Sequence, residues 1–323
     1  MAKKINIAGI SKKISEKVDR DVLEKTSTPK EQSLFAGLNI GISISENPDL
    51  RKLGYSPMHL QDAMVEISRY LLIHGATLIY GGDLRSGGYT YLFAELAKQY
   101  GSKENYDIYR FVNYFAWPIH KKLTKADELD FKQQKVGIIK LPPPKGIDEN
   151  KALPDSSSKE MKLIMAKSFS LMRKEINAKC NARILLGGKT NGFQGIYPGI
   201  PEEAYLAMLD NKPVYLLGAY GGATQEVINL ITKQSSGSLN KKEQLNDQVY
   251  ADLFTSWNKD QKQKINLDDF YNFFKKYTLK KLSKNNGLDE KENLSLFSTD
   301  NLTEIIFYIL KGLIQIQKTT GSK

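Results

Sequence analysis

Between residues 38 and 232, short apolar runs alternate with longer stretches in which apolar residues recur every three or four positions. That alternation constrains the fold more than any other feature of the chain. The runs are "LNIGISIS", "TLIYGG", "YRFVNYFAWPI", "KVGIIKLP", "ARILLGG" and "PVYLLG". Parallel strands need a crossover between them, usually a helix, and strands covered on both faces read as nearly continuous apolar runs. The stretches between supply the helices. In "YSPMHLQDAMVEISRYLLIHG", Ser56 suits the N-cap, Pro57 the first helical position, and Leu60, Met64, Ile67 and Leu71 one buried face, with Gly75 closing the helix. A long helix from Ser157 carries Met161, Ile164, Met165, Met172 and Ile176 along one side. The expected fold class is α/β, a Rossmann-like parallel sheet with helices on both faces.

The alternation stops near Lys233. Three parts are expected: an N-terminal extension with some helix over 1–35, an α/β domain over 36–232, and a helical C-terminal region over 233–323. The last begins with the linker-like "KQSSGSLNKKEQ" and continues through "FYNFFKKY" and "EIIFYILKGLIQI" as a helical cap or small second domain.

Composition narrows the partners. Of 323 residues 41% are apolar and 26% charged, as in a globular chain able to bury a sizeable core. No apolar stretch approaches the roughly 18 residues that span a membrane, and "MAKKINIAGISKKISEK" holds no signal-peptide core. The net charge of +11 comes from lysines interleaved with acids, without a concentrated basic face, so nucleic acid is not an expected partner. The lone Cys180 fits a cytoplasmic location. "GGKT" lacks the glycine that a Walker A loop needs, since Arg183 stands in its place. "GGDLRSGG" lacks the dinucleotide spacing, and "NKDQKQKINLDDF" lacks a calcium loop's central glycine. His59, His74 and His120 are too scattered for zinc. Neither a metal nor a cofactor is expected.

In an open parallel sheet, ligands sit beyond the carboxyl ends of the strands. Three glycine-bearing loops fall at such ends, each leading into a helix whose N–H groups favour an anion. In "YGGDLRSGGYT" the candidates are Gly81, Gly82, Gly87 and Gly88, with Asp83 for ribose hydroxyls and Arg85 for phosphate, or else the two charges neutralise each other at a turn. "LGGKTNGFQGIYPG" offers Gly187, Gly188 and Gly199, and "LGAYGGAT" offers Gly221 and Gly222. Pro201 then places Glu202 and Glu203 in a first helical turn, where the helix dipole alone is a sufficient reason for acids.

"LMRKEINAKCNARILLGG…YPGIPEEAYLAM" joins an Arg-Lys pair on a helix to a strand, a glycine pair, Pro-Gly and a Glu pair. Over roughly residues 36 to 232 this resembles the SLOG superfamily, which includes the Lonely Guy phosphoribohydrolases, TRPM-type domains and nucleotide-sensing domains of bacterial antiviral proteins. In the Lonely Guy enzymes an Arg-Lys helix precedes a "PGGxGTxxE" loop, and the arginine and final glutamate serve glycosidic cleavage. The resemblance implies those roles for Arg173 and Glu203. Ile200 stands where the family has threonine, and "KTNGFQGIY" lengthens the loop, which looks more like the defence-associated branch.

The reading this implies is a sensor of a nucleotide or NAD/ADP-ribose-derived signal in antiviral defence, assembled as a homo-oligomer. The alternatives are an N-glycosidase acting through Arg173 and Glu203 on NAD or a nucleoside 5′-monophosphate, and a scaffold protein.

Overall fold

β-Branched and aromatic residues dominate the six apolar runs, and every run contributes one strand to a single parallel sheet. The computed structural model describes residues 34–82, 84–85, 87–100, 109–260 and 264–321. Its strands are β1 (Asn39–Ser45), β2 (Thr77–Gly81), β3 (Phe111–Phe115), β4 (Val136–Lys140), β5 (Ala182–Gly187) and β6 (Val214–Leu217). They lie in the order β4-β3-β2-β1-β5-β6, with all neighbours parallel. The chain therefore steps outward from β1 to β4, then crosses back to lay β5 and β6 on the other side. At such a reversal the flanking connections leave in opposite directions and open a crevice at the strand carboxyl ends.

Helices α1 (Asp49–Lys52), α2 (Pro57–Ile73), α3 (Tyr89–Tyr100), α4 (Lys125–Gln133), α5 (Lys159–Lys179), α6 (Gly199–Leu209) and α7 (Gly222–Ile231) fill the connections. The start of α2 is as the sequence implies: Pro57 opens it and Ser56 caps it, in a reciprocal box completed by His59. Helix α5 begins slightly later than Ser157, with the Ser158 hydroxyl accepting the Met161 N–H at 3.1 Å. Strand side chains alternate between faces. Ile40, Ile42 and Ile44 of β1, with Ile184 and Leu186 of β5, pack with Leu60, Met64 and Phe93 of α2 and α3. On the opposite face Ile79, Val112 and Ile139 meet Met172 and Ile176 of α5.

Of the N-terminal extension only Leu34 and Phe35 are described. Phe35 is fully buried, its N–H donating to the His74 carbonyl at 2.7 Å. The helix expected before it lies outside the described residues.

Beyond Thr232 follow α8 (Lys241–Leu245), α9 (Gln248–Asp260), α10 (Leu267–Lys276), α11 (Leu279–Asn286), α12 (Glu290–Ser298) and α13 (Leu302–Gly321). They cap the β6 side of the sheet and share its cores. Phe270, Phe274 and Leu282 cluster with Met208, Val227 and Ile231 of α6 and α7, while Leu296, Ile305 and Ile309 join the strand residues on the other face. Among the described residues no helix, α13 included, is long and apolar enough to cross a membrane.

Asn286 fastens cap to sheet. Its side-chain amide donates to the Val214 carbonyl (3.1 Å) and to Asn293 Oδ1 (2.7 Å), and its Oδ1 accepts the Leu288 N–H (3.1 Å). The buried Tyr215 hydroxyl donates to its backbone carbonyl at 2.9 Å. Each buried partner left unsatisfied costs about 1–3 kcal/mol. Asn286→Ala is therefore expected to destabilise the whole protein by at least that much. In urea the main unfolding transition should shift as one; early release of the helical region alone, with the sheet unmoved, would contradict the shared core.

Candidate functional site

An arginine inside a sheet demands an explanation from its surroundings. Arg183 lies on β5 with 1% of its surface exposed, and its register partner on β1 is Gly41. A Cβ at Gly41 would stand 3.3 Å from the Arg183 guanidinium carbon and 2.6 Å from Cys180 Sγ, so the missing side chain gives the guanidinium its room. Arg183 Nη1 donates to Glu203 Oε2 at 2.8 Å and to Ser43 Oγ at 3.0 Å, while the Ser43 hydroxyl donates to the same carboxylate oxygen. Among the described residues Arg183 Nε has no partner and Nη2 only Cys180 Sγ at 4.0 Å, so Glu203 and Ser43 carry the compensation for this buried charge.

The neighbouring acid serves a different arginine. Glu202 Oε2 accepts from Arg173 Nη1 at 2.6 Å, and its Oε1 accepts from the Ser170 hydroxyl at 2.6 Å. Arg173 Nε also stands 3.7 Å from Glu203 Oε1, and its guanidinium lies 5.6 Å from the centre of the Phe169 ring. Together α5, α6 and β5 are joined by two linked arginine–glutamate pairs.

The glycine-dense loop closes over this assembly. A Cβ at Gly195 would stand 2.7 Å from Arg173 Nη1, and one at Gly199 would stand 2.7 Å from Nη2. The main chain lies directly on the guanidinium, and only glycine allows that approach. The loop is tied outward as well. Tyr250 Oη of α9 donates to the Ile196 carbonyl at 2.7 Å, and Tyr197 stacks on Phe270 of α10 with ring centres 4.1 Å apart. Burial raises both tyrosine hydroxyls well above the usual phenol range, which keeps them neutral.

These elements enclose a cavity of about 340 Å³ at the carboxyl ends of β1 and β2, within the usual range for small-molecule sites of roughly 300–1,000 Å³. Ser43 and Glu203 line its interior with Arg173, and Lys189, Arg85 and Glu46 are exposed around it. Tyr89 lines it too. That tyrosine is 7% exposed, its hydroxyl has no hydrogen-bond partner among the described residues, and burial, reinforced by the charge of Glu46, raises its pKa.

Of the residues singled out from sequence, Gly81, Gly82, Arg85, Arg173, Gly199 and Glu203 line this one cavity. Glu202 lies behind Arg173, outside the lining. Asp83 is outside the described residues. Gly87 and Gly88 precede α3 and are not part of the lining. The remaining pairs hold loop to loop. Gly188 N–H donates to the Ser45 carbonyl and its carbonyl accepts the Ala223 N–H, both at 2.8 Å. Gly222, at φ +67°, places its Cα where a Cβ would be 2.5 Å from that same Gly188 carbonyl. Sequence reasoning missed Ser43, Glu46, Tyr89, Arg183 and Lys189. One signal was available: a charged residue in the run "ARILLGG" requires a buried counter-charge.

A parallel sheet with a charged crevice at its reversal point defines a Rossmann-like α/β domain. The chain belongs to the SLOG cluster2 family, whose sequence profile matches residues 34–296 and so runs past α7 into the helical cap. Among curated proteins none matches the chain. Membership points to a nucleotide-related function.

Removing one partner of a buried ion pair strands the other charge, a loss of about 3–5 kcal/mol. Arg183→Met is expected to destabilise by that order in chemical unfolding. Adding Glu203→Gln to it should restore part of the loss, giving a coupling energy well beyond the roughly 0.3–0.5 kcal/mol scatter of independent sites. Strict additivity would separate the two side chains energetically.

Proposed function

We propose that the protein is a nucleotide sensor of bacterial antiviral defence whose crevice binds an NAD- or ADP-ribose-derived signal. The observation that carries this reading is the cavity at the sheet reversal, with a carboxylate inside it and cations at its edge. A phosphate group is matched by Lys189 and Arg85, and ribose hydroxyls by Glu203, Ser43 and the Tyr89 hydroxyl, which has no partner among the described residues. Arg173 braces the floor, since its guanidinium is already engaged by Glu202 and covered by the loop. Occupancy reaches the helical cap through the Tyr250 and Tyr197 contacts of the same loop.

Glu203 supports a second reading, an N-glycosidase. A carboxylate beside a sugar stabilises the positive charge that develops as the base departs. Arg183 and Ser43 would hold that carboxylate in place from behind.

Ligand that binds only the folded state stabilises it by about 2.7 kcal/mol at a hundredfold excess over Kd. A thermal-shift panel of NAD, ADP-ribose and nucleoside monophosphates is expected to raise Tm for at least one of them. Lys189→Ala is expected to weaken that ligand by roughly ten- to a hundredfold, the usual worth of a charge-assisted hydrogen bond. Chromatography of the same mixtures separates the two readings. Intact ligand supports the sensor; base release abolished by Glu203→Gln supports the enzyme. A flat panel at millimolar ligand would refute both.

A further inference from the structure

A second cavity of about 640 Å³ opens beside the crevice, and the two share Arg85, Ile119, Phe193 and Gln194. Its character is different. Met161 and Met165 of α5 form one wall and Tyr250 and Leu253 of α9 the other. Phe193 stands at the junction, meeting the Tyr250 ring edge-on at 5.0 Å. The apolar side of α5 is split between two tasks. Ile164, Met172 and Ile176 are buried in the cores, whereas Met161 and Met165 are only half-buried and face this chamber.

Thioether and aromatic walls suit a flat, weakly polar ring system, through sulfur–aromatic contact and stacking. They cannot satisfy a sugar phosphate. The crevice, lined by Glu203, Arg173 and Lys189, has the opposite preference. Arg85 lines both cavities where they meet, Lys189 lines the crevice, and Lys122 and Lys162 line the chamber. A mononucleotide would occupy one compartment and leave the other empty.

Resting on the nucleotide reading above, we infer that the ligand is a dinucleotide, two nucleosides joined by a pyrophosphate or its ribosyl equivalent. One ribose phosphate lies in the crevice, the linking phosphates lie at the cationic junction, and one base enters the chamber between α5 and α9. The chamber wall belongs to the helical cap, so the cap reads the base and the sheet reads the sugar.

Calorimetry on the full chain tests this with four probes: NAD, ADP-ribose, AMP and ribose 5-phosphate. The better of NAD and ADP-ribose is expected to bind about tenfold or more tighter than ribose 5-phosphate, the difference one stacked base makes, and tighter than AMP, which is too short to fill both compartments. Met165→Trp, which fills the chamber, should bring that ligand down to the affinity of ribose 5-phosphate while leaving ribose 5-phosphate itself unchanged. Val249→Trp on α9 does the same from an exposed position of the chamber rim, where a larger side chain does not disturb the core. Equal affinity for AMP, NAD and ADP-ribose, or undiminished affinity for the better ligand in both tryptophan variants, overturns the two-compartment site and leaves the nucleotide reading standing. No binding by any of the four probes overturns both.

Discussion

A guanidinium in the middle of a parallel sheet has nowhere to find water, so its counter-charge must be delivered by another element. For Arg183 that element is α6, which brings Glu203 onto the sheet surface beside Ser43 of β1. The pair sets the depth and the angle at which α6 starts. Because Pro198 and Gly199 begin that helix, the end of the glycine-rich loop is positioned by the same contact. Adjacent residues on a helix point about 100° apart, since 3.6 residues make a turn. Glu203 therefore faces the sheet while Glu202 faces α5 and binds Arg173. The two consecutive acids thus pin one helix against two different neighbours, and the cavity is the space left between them.

The lengthened loop has two kinds of anchor. On the inside its glycines lie against Arg173, where any side chain would force the guanidinium away from Glu202. On the outside it is held by hydrogen bonds from the cap, Tyr250 to Ile196 and Gln244 Nε2 to the Thr190 carbonyl at 2.9 Å. A loop that is fixed to a sheet-borne ion pair at one end and to a helical region at its middle moves only if both sides respond. That coupling is what the proposed sensing role would use, and it needs no large hinge.

The six strands were legible because burial on both faces makes each run continuously apolar, and helix α2 because its cap residues and periodicity agree. The crevice could be placed from strand ends and glycines. Its inner chemistry could not. Ser43 lies within β1 and Glu46 directly after it, on a strand that carries no glycine signal at its end, and Tyr89 reads as one more aromatic on a helix. Met161 and Met165 share the spacing of core residues, and periodicity says which residues lie on one side, not whether that side meets a core or a cavity. The helical cap was visible as a change of pattern, but its fusion with the sheet depends on Asn286 and Tyr215, residues 71 positions apart. No local rule pairs them.

The environment of Glu203 bears on binding against cleavage. Its Oε2 is shared by Arg183 and Ser43, and its Oε1 has Arg173 Nε 3.7 Å away. Two unit charges 4 Å apart near a protein surface interact by about 4 kcal/mol at an effective dielectric of 20. Arg183, 2.8 Å from Oε2, therefore offsets much of the field that this carboxylate projects toward a sugar carbon, while the charge of Arg173 is largely taken up by Glu202 at 2.6 Å. What survives is its hydrogen-bonding geometry, because accepting a hydroxyl proton needs a lone pair in a fixed direction and little net charge. A neutralised, rigidly held carboxylate is better suited to recognising ribose than to stabilising an oxocarbenium ion, and this orders the sensor ahead of the glycosidase.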